Sequence, residues 1–423
     1  MRILLIAYEF PPIIAAQSLR WFYLSDELAR RGVEVHVLCP ALPALPDYPV
    51  RSHDRVIPHR VWPGPYVGLS QRLASNALKR SALSATAGDT TPSVLLAVYR
   101  LIRRGLDQVL YPDLRTEWYP FAKPKLRALL AQYPFDAVIS SHEPGVDLLL
   151  GWWAKKHFAR RWVIDLGDPL LAPYTPVWRR GLDRRFERFV LDRADRIVVT
   201  TDSVQDLLCE RHHLVDRSRF LSIPQGFPTR REPGDQLPPT WPLPADRMNI
   251  VFTGTFYRDF RSPERLALAL RALAAREATL TIAGDNARFR ALFDQIPNVR
   301  FTGRIDHFQC LALQRQADLL LNIGNVQAYQ LPGKVYEYFG AGKPIFHLQT
   351  GAPDPGAELI QALGAGLVVE NDVARICESL AKLIEAWRGG GLNALFSPQR
   401  DAIRQHAWES RAAAYHQLLS SLG

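Results

Sequence analysis

Short apolar runs alternate with amphipathic stretches along most of the 423-residue chain. Apolar runs bounded by turn residues predict buried strands, and stretches with one apolar face predict the helices between them. The predicted strands of the first half lie at residues 2–7, 34–39, 135–141, 162–166 and 196–200. Those of the second half lie at 249–253, 279–283, 299–302, 318–323, 344–348 and 367–370. Because strands alternate with helices, we predict an α/β fold with parallel, doubly wound sheets.

A proline-rich segment divides the two strand series. Residues 226–247 hold six prolines without any periodicity, which is typical of a linker between domains. We therefore predict two facing Rossmann-like domains, at 1–228 and 248–398, joined by a linker at 229–247. A last helical stretch within 399–423 is expected to cross back onto the first domain.

Polar residues follow several of the predicted strands. In doubly wound sheets, ligands bind beyond the carboxyl ends of the strands. The candidates at these positions are Glu9, Arg20, His142, Glu143, Asp165, Asp168, Gly254, Arg258, Arg261 and Arg304. Each type also has a second interpretation: a histidine–glutamate pair can fix a loop, an aspartate can cap a helix, and a loop arginine is often solvated. Their convergence on one predicted cleft favours a binding site.

The segment QLPGKVYEYFGAGKPI at residues 330–345 combines glycines, a lysine and a carboxylate. A magnesium-dependent P-loop is excluded, because Glu337 stands where that motif needs its first glycine and Pro344 replaces the hydroxyl residue. Pro332 instead suits the first turn of a helix that stops at residues 340–342. The free amides at 331–334 would then favour an anion, and Glu337 could accept hydrogen bonds from sugar hydroxyls.

Six motifs follow one another along the chain: EFPP at 9–12, SHEP at 141–144, DLGDP at 165–169, IPQG at 223–226, FTGTFY at 252–257 and GKVYEYFGAGKPI at 333–345. In this order they resemble the retaining glycosyltransferases of the GT-B architecture, family-four type, over nearly the full length. The last motif is the most specific of the six. The resemblance implies a nucleotide-diphosphate sugar held mainly by the second domain and an acceptor held by the first.

The resemblance also implies roles for individual residues. The basic pair Arg258 and Arg261 would hold the phosphates, and Glu337 would hold the ribose hydroxyls. His142 would lie near the transferred sugar, and these four residues are the catalytic candidates. Further donor contacts are expected from Gly254, Arg304, Ile305, Leu331, Pro332, Gly333 and Lys334. Contacts to the acceptor or the sugar are expected from Arg20, Glu143, Asp165, Asp168 and Tyr329.

The predicted chemistry uses neither a metal nor a cofactor. The chain contains no Asp-x-Asp pair, through which other glycosyltransferases bind a divalent ion. Guanidinium groups, Lys334 and helix amides would instead stabilise the leaving diphosphate of a UDP- or GDP-type sugar. The acceptor would attack from the face that the diphosphate leaves, and the phosphate would take its proton, so the anomeric configuration would be retained.

Charge and composition indicate the partners and the compartment. The net charge of +10 and the pI near 9.5 favour an acidic partner. Nucleic acid is disfavoured, because no zinc finger, RNP-like motif or basic heptad region occurs. A basic amphipathic stretch at 95–109 favours an anionic membrane surface, although such a helix can equally pack on its own domain. Four scattered cysteines and the absence of a signal or membrane-spanning segment favour the cytoplasm, peripherally at the inner membrane face.

These observations leave three functions in competition. The leading prediction is transfer of a sugar to a lipid-linked glycan acceptor in polysaccharide or lipopolysaccharide biosynthesis. A nucleotide-sugar 2-epimerase would also use two facing Rossmann domains, but it would need no acceptor surface. A catalytically degenerate, nucleotide- or glycan-binding scaffold is supported by Tyr329, where the family often has a glutamate, and by the Ile13–Ala16 loop, which lacks the family's glycines.

Overall fold

The computed structural model describes residues 1–13, 15–43, 52–68, 110–172, 175–213, 216–231, 236–237, 241, 243–258, 261–273, 277–325, 331–351 and 353–422. The chain forms two compact units, of which the first comprises Met1–Ile223 with Ala412–Gly423 and the second comprises Pro224–Arg411. The predicted basic helix at 95–109 and the predicted site residue Tyr329 lie outside the described residues.

The first unit is built on a seven-stranded parallel sheet with the order β3-β2-β1-β4-β5-β6-β7. Its strands are β1 (Arg2–Ile6), β2 (Glu34–Pro40), β3 (Val56–Val61), β4 (Ala137–His142), β5 (Arg161–Leu166), β6 (Arg196–Val199) and β7 (Phe220–Ser222). Its helices are α1 (Ala16–Arg30), α2 (Tyr119–Gln132), α3 (Gly145–Phe158), α4 (Val177–Arg193) and α5 (Asp202–Arg211), with 3₁₀ turns at Leu114–Trp118 and Arg217–Arg219.

The second unit is built on a six-stranded parallel sheet with the order β10-β9-β8-β11-β12-β13. Its strands are β8 (Met248–Thr253), β9 (Ala278–Ala283), β10 (Val299–Gly303), β11 (Leu319–Ile323), β12 (Ile345–Gln349) and β13 (Gly366–Glu370). Its helices are α6 (Glu264–Leu273), α7 (His307–Gln316), α8 (Gly333–Ala341), α9 (Pro355–Ala362), α10 (Val373–Arg388) and α11 (Arg400–Arg404), with 3₁₀ turns at Ala287–Leu292 and Leu392–Leu395. The last helix, α12 (Trp408–Ser420), contains the boundary between the units.

The central strands form because they bury both faces of each sheet. Every residue of β4, β8, β9 and β11 is buried, as the continuous apolar runs predict for parallel strands covered by helices on both sides. The prediction of two Rossmann-like α/β units with parallel sheets is therefore confirmed. In both sheets the carboxyl ends of the middle strands, β1 with β4 and β8 with β11, form the switch point where ligands bind in this fold.

The interior of the first unit contains an ion pair that the sequence interpretation assigned to the acceptor. Arg20 on α1 donates to Asp165 on β5, with Nη2 at 2.9 Å from Oδ2, and both side chains are fully buried. Tyr415 donates its hydroxyl to the same carboxylate at 2.8 Å. Because these groups satisfy one another inside the core, direct contact with an acceptor does not fit, and we correct both assignments to a structural role.

Candidate functional site

Helix α8 begins with an uncapped amino terminus. Pro332 occupies the N-cap position and has no side-chain capping bond, and the helix starts at Gly333. The first amides of an α-helix have no intrahelical acceptor, so those of Gly333 and Lys334 are available to an anion. The helix ends at Gly342, whose φ of 67° lies in the left-handed region that favours glycine. The helix predicted from Pro332 and the glycines at 340–342 is therefore present, with Pro332 at the N-cap position instead of in the first turn.

A lysine–glutamate pair stands in the first two turns of α8. Lys334 Nζ lies 2.7 Å from Glu337 Oε2, and Gln314 Nε2 of α7 donates to the same oxygen at 3.0 Å. The side chains of Lys334 and Glu337 are 28% and 11% exposed, so the pair remains open to a ligand. Both hydrogen bonds end on Oε2, which leaves Oε1 without a hydrogen-bond partner among the described residues and available to sugar hydroxyls.

The charges of this pair stabilise each other. Burial alone would raise the pKa of the Glu337 carboxyl, but the Lys334 ammonium, His307 and the two hydrogen bonds lower it overall. For Lys334, burial acts to lower the pKa, and the neighbouring Cys310 and Glu337 raise it overall. Burial lowers the pKa of His307 to about 4, so its imidazole is neutral near pH 7. The site therefore holds one fixed carboxylate and one fixed ammonium at neutral pH.

Gln314 joins α8 to the carboxyl end of β8. Its amide Nε2 also donates to Thr253 Oγ1 at 2.9 Å, and Thr253 is the last residue of that strand. The next residue, Gly254, has a φ of 149°, and its carbonyl accepts from Asn286 Nδ2 at 2.8 Å. A side chain at Gly254 would be strained at this φ, so the turn keeps open the space beyond the strand.

Arg261 lies at the same end of β8, and no carboxylate among the described residues pairs with it. Its Nε and Nη2 donate to Asn325 Oδ1 at 3.1 and 2.7 Å, and Asn325 follows the end of β11. No ion pair joins Arg261 to any residue that the structure describes. Burial lowers its pKa from the ordinary value of 12.5, but the guanidinium remains charged at neutral pH. A partly buried cation held by a neutral amide is suited to an anionic ligand.

The other predicted donor residues differ in how the structure places them. Arg258 and Arg304 are exposed, and neither forms a hydrogen bond or an ion pair with Lys334 or Glu337. Ile305 and Leu331 are partly buried and pack against the hydrophobic cluster of the second unit that includes Val335. Of the three predicted arginines Arg258, Arg261 and Arg304, only Arg261 forms a hydrogen bond with another described residue.

The first unit contains a cavity of about 280 Å³ near the predicted site residue His142. His142 ends β4 and is 6% exposed, and its Nδ1 lies 3.2 Å from the carbonyl oxygen of Asp168. Asp168 thus contributes its backbone to the orientation of the imidazole ring. Glu143 is exposed and lines the same cavity, and its contact with a sugar stays a prediction. The remaining lining residues include Asp113, Arg115, Arg179 and Asp183.

The lining residue Asp113 was not among the predicted site residues. Asp113 accepts from the amides of Arg115 and Gly145 at 2.8 and 2.7 Å, and burial raises the pKa of its carboxyl. Glu9, next to this group, has a pKa raised to about 7 by burial and by the nearby charges of Glu143 and Asp113. The EFPP motif drew attention to Glu9, but no local pattern marks Asp113, which approaches His142 only in the folded chain.

Neither a metal cluster nor a membrane-spanning helix occurs within the described part of the chain. No group of three or more histidine, cysteine, aspartate or glutamate side chains is arranged there to hold a metal ion. None of the described helices is both long enough and apolar enough to cross a bilayer.

The fold and the family comparison define the class of the protein. Residues 18–226, nearly all of the first unit, match the family described as "Glycosyl transferase 4-like domain". The predicted resemblance to glycosyltransferases of the GT-B architecture is therefore confirmed, and residues 18–226 form a glycosyltransferase 4-like domain. No curated protein matches the sequence significantly.

Solved structures share this architecture along the whole chain. Sucrose-phosphate synthase from Thermosynechococcus elongatus is similar over 100% of this chain and 98% of its own, with 17% identity and a TM-score of 0.67. HepE of Anabaena, in complex with UDP and glucose, is similar over 100% of both chains, with 14% identity and a TM-score of 0.61. WaaG, a glycosyltransferase involved in lipopolysaccharide biosynthesis, covers 99% of both, with 15% identity and a TM-score of 0.59. At these identities the similarity shows the fold.

Proposed function

We propose that the second unit binds a nucleotide-diphosphate sugar and that the sugar is transferred to an acceptor bound by the first unit. The observation that carries this proposal is the open amino terminus of α8 with the Lys334–Glu337 pair, together with the guanidinium of Arg261, which Asn325 holds at the carboxyl end of β8 in the same unit. Such a site offers a fixed carboxylate to ribose hydroxyls and fixed positive charge to a diphosphate. The UDP complex of the similar HepE fold supports a UDP-type donor.

In the proposed reaction, the bond between the anomeric carbon and the diphosphate oxygen breaks, and a bond to the acceptor oxygen forms. Arg261, Lys334 and the α8 amides would stabilise the negative charge that develops on the leaving diphosphate. The acceptor hydroxyl would attack from the side that the diphosphate leaves and would give its proton to a diphosphate oxygen, with retention at the anomeric carbon. We expect no metal ion to be required, because these cationic groups supply the charge.

The proposed acceptor is a lipid-linked glycan of polysaccharide or lipopolysaccharide biosynthesis. The cavity beside His142 supports a glycan, because its carboxylates and guanidinium groups are suited to hydrogen bonds with sugar hydroxyls. WaaG, which shares the fold, is described as acting in lipopolysaccharide biosynthesis. His142 and Glu143 would orient the acceptor and the transferred sugar, and Asp168 would hold the imidazole of His142.

A thermal-shift series with UDP-, GDP- and ADP-glucose tests the donor site. A bound donor at about 100 times its dissociation constant should stabilise the protein by roughly 2.7 kcal/mol. In the absence of acceptor, we expect slow release of free glucose from the stabilising donor and its loss in Glu337→Ala. The matched control is Glu378→Ala, since Glu378 forms an exposed pair with Lys382 at 2.8 Å on α10 of the same unit.

The same incubation separates the alternative functions. Conversion of the donor into an isomeric sugar nucleotide without release of sugar would indicate an epimerase. Stabilisation by the nucleotide without any turnover, with or without glycan acceptors, would indicate a binding scaffold. No stabilisation by any of the three donors would contradict the proposed donor site.

A further inference from the structure

Helix α4 exposes large apolar side chains in its first two turns. Val177, Trp178 and Leu182 are 79%, 60% and 46% exposed, and no other helix of the described chain carries three such side chains. The opposite face of α4 is buried through Asp183, Phe186, Glu187, Val190 and Leu191. Because an α-helix has 3.6 residues per turn, Trp178 and Leu182 lie one turn apart along one side of the helix. Leu182 is at the margin of the buried stripe, one turn before Phe186, and its side chain is still nearly half exposed.

Arginines follow these apolar side chains on the exposed surface of α4. Arg184 and Arg185 are exposed, and Arg185 forms neither a hydrogen bond nor an ion pair with any described residue. Arg188 pairs with Asp192 at 2.9 Å, and Asp192 is the only carboxylate of α4 that is exposed. A surface cavity of about 650 Å³ beside the helix, called the hollow below, is lined by Gly181, Arg184, Arg185, Arg188, Arg211, His212 and His213. The exposed surface of α4 is therefore apolar in the first two turns of the helix and carries arginines in the turns that follow.

We propose that this α4 surface, formed by Val177, Trp178, Leu182, Arg184 and Arg185, docks the protein on an anionic lipid bilayer. Tryptophan suits the headgroup boundary, because its apolar ring can be buried while its N–H stays in contact with water, and leucine adds apolar area that the bilayer can bury. The arginines suit lipid phosphates, and the hollow beside them has room for a headgroup. This surface combines large exposed apolar side chains with positive charge and only one exposed carboxylate. The combination favours an anionic bilayer over a neutral protein surface.

The inner side of the same helix contributes to the cavity beside His142. Arg179, Asp183 and Phe186 line that cavity, whereas Trp178 and Leu182 point outward. Docking through α4 would therefore hold the cavity next to the bilayer, where a lipid-linked acceptor is found. This consequence rests on the proposed function, whereas the docking itself requires neither donor nor acceptor.

Vesicle sedimentation of the full chain tests the docking. Vesicles of phosphatidylcholine with about one third phosphatidylglycerol should bind the protein, and vesicles of phosphatidylcholine alone should bind it far more weakly. The Arg184→Gln/Arg185→Gln variant should lower the partition coefficient roughly 25-fold, at about fivefold for each charge removed. The Trp178→Ala/Leu182→Ala variant should lower it by roughly tenfold or more, at low and at high salt.

Matched variants on the second unit serve as controls. Leu268→Ala/Leu395→Ala removes two leucines that are 52% and 57% exposed, and Arg375→Gln/Lys382→Gln removes two cations of α10 whose side chains are 67% and 72% exposed. Both controls should bind vesicles within about twofold of the wild type. The melting temperature of each variant without vesicles should stay close to that of the wild type, because every substituted side chain is exposed.

The docking is overturned if the α4 variants bind as the wild type does, or if anionic and neutral vesicles bind equally. It is also overturned if Trp62→Ala alone abolishes binding, because Trp62 and Phe121 form a separate exposed aromatic pair with ring centroids 4.6 Å apart. Donor-induced thermal shifts in the absence of lipid report on the proposed function separately. Loss of those shifts with vesicle binding intact would refute the donor site and leave the docking standing.

Discussion

The Glu337→Gln substitution tests the α8 site most specifically. Glutamine keeps the shape of the side chain but removes its charge, and Oε2 of Glu337 is the acceptor for Lys334 Nζ at 2.7 Å and Gln314 Nε2 at 3.0 Å. The variant therefore retains a carbonyl that can accept these bonds while Lys334 loses its neutralising partner. The fold of α8 should persist, because its buried residues Val335, Tyr336, Tyr338 and Phe339 are unchanged.

This geometry predicts the size of two effects, one on the Kd for the sugar nucleotide and one on the free energy of unfolding. A hydrogen bond to a charged group contributes about 1.5–3 kcal/mol, so loss of the carboxylate contact to ribose should raise the Kd for the UDP sugar roughly 10- to 100-fold. Loss of the partly buried pair with Lys334 should lower the free energy of unfolding by about 1–2 kcal/mol without ligand. The control Glu378→Gln disrupts an exposed pair with Lys382, so it should leave the free energy of unfolding nearly unchanged.

Calorimetric titration with the stabilising sugar nucleotide and urea unfolding measure these two quantities independently. The pair also predicts a pH effect: the pKa of Glu337 is lowered in the folded state, so its contribution to stability is present at neutral pH and is lost as the pH falls through that folded pKa. The Gln variant should lack this part of the acid destabilisation. A variant with an unchanged Kd but lower stability would show that the pair is purely structural and would refute its role in donor binding.

Four further predictions follow from single side chains. Arg261→Gln should weaken UDP binding roughly 10- to 100-fold and leave uridine binding unchanged in calorimetry, because the unpaired guanidinium is assigned to the phosphates. His307→Gln should flatten the pH dependence of the free energy of unfolding in urea. The pKa of His307 is about 4 in the folded protein against an ordinary 6.5, so the free energy of unfolding of the wild type falls by up to about 1.4 kcal/mol per pH unit as the pH falls between these values. Arg20→Met should lower the free energy of unfolding by about 3–5 kcal/mol, because it leaves Asp165 charged and buried, and an Arg20→Met/Asp165→Leu double variant should recover part of this loss. Glu9→Gln should remove an inflection near pH 7 from the pH profile of donor hydrolysis, because Glu9 has a pKa of about 7; an unchanged profile would exclude Glu9 from the reaction.

The central strands were predictable because parallel strands buried on both faces appear as continuous apolar runs. The two strands that the sequence interpretation missed break this pattern. In β3 (Val56–Val61) only the first residue is buried, the others alternate between partly buried and exposed, and the strand contains a proline and an arginine. β7 (Phe220–Ser222) is only three residues long. Both lie at the edges of their sheet, where one side needs no partner and local signals are weak.

The start of α8 was also predictable, because Pro332 and the glycines at 340–342 are local signals of where a helix begins and ends. The partners that complete the site were not predictable in this way. Gln314 and Asn325 reach Glu337 and Arg261 from other elements, 23 and 64 positions away in the sequence. Their roles depend on the packing of α7 and β11 against β8, which no local pattern specifies.

The correction at Arg20 and Asp165 has the same origin. A charged residue that follows a parallel strand or begins the next helix is a reasonable site candidate by position alone. The two side chains instead neutralise each other in the core, and Tyr415, 250 positions from Asp165, completes the network. Burial of a charge depends on distant parts of the chain, so the sequence pattern could not distinguish this structural pair from exposed ligand contacts.

The central claim is that the second unit binds a diphosphate through its own cationic groups and helix amides. Calorimetric titration of the wild-type protein with UDP and with uridine, each in EDTA and in magnesium, tests it most directly. We expect UDP to bind at least about 100-fold more tightly than uridine, with affinities in EDTA and magnesium that agree within about twofold. UDP that binds no better than uridine, or that binds only with magnesium, would contradict the claim.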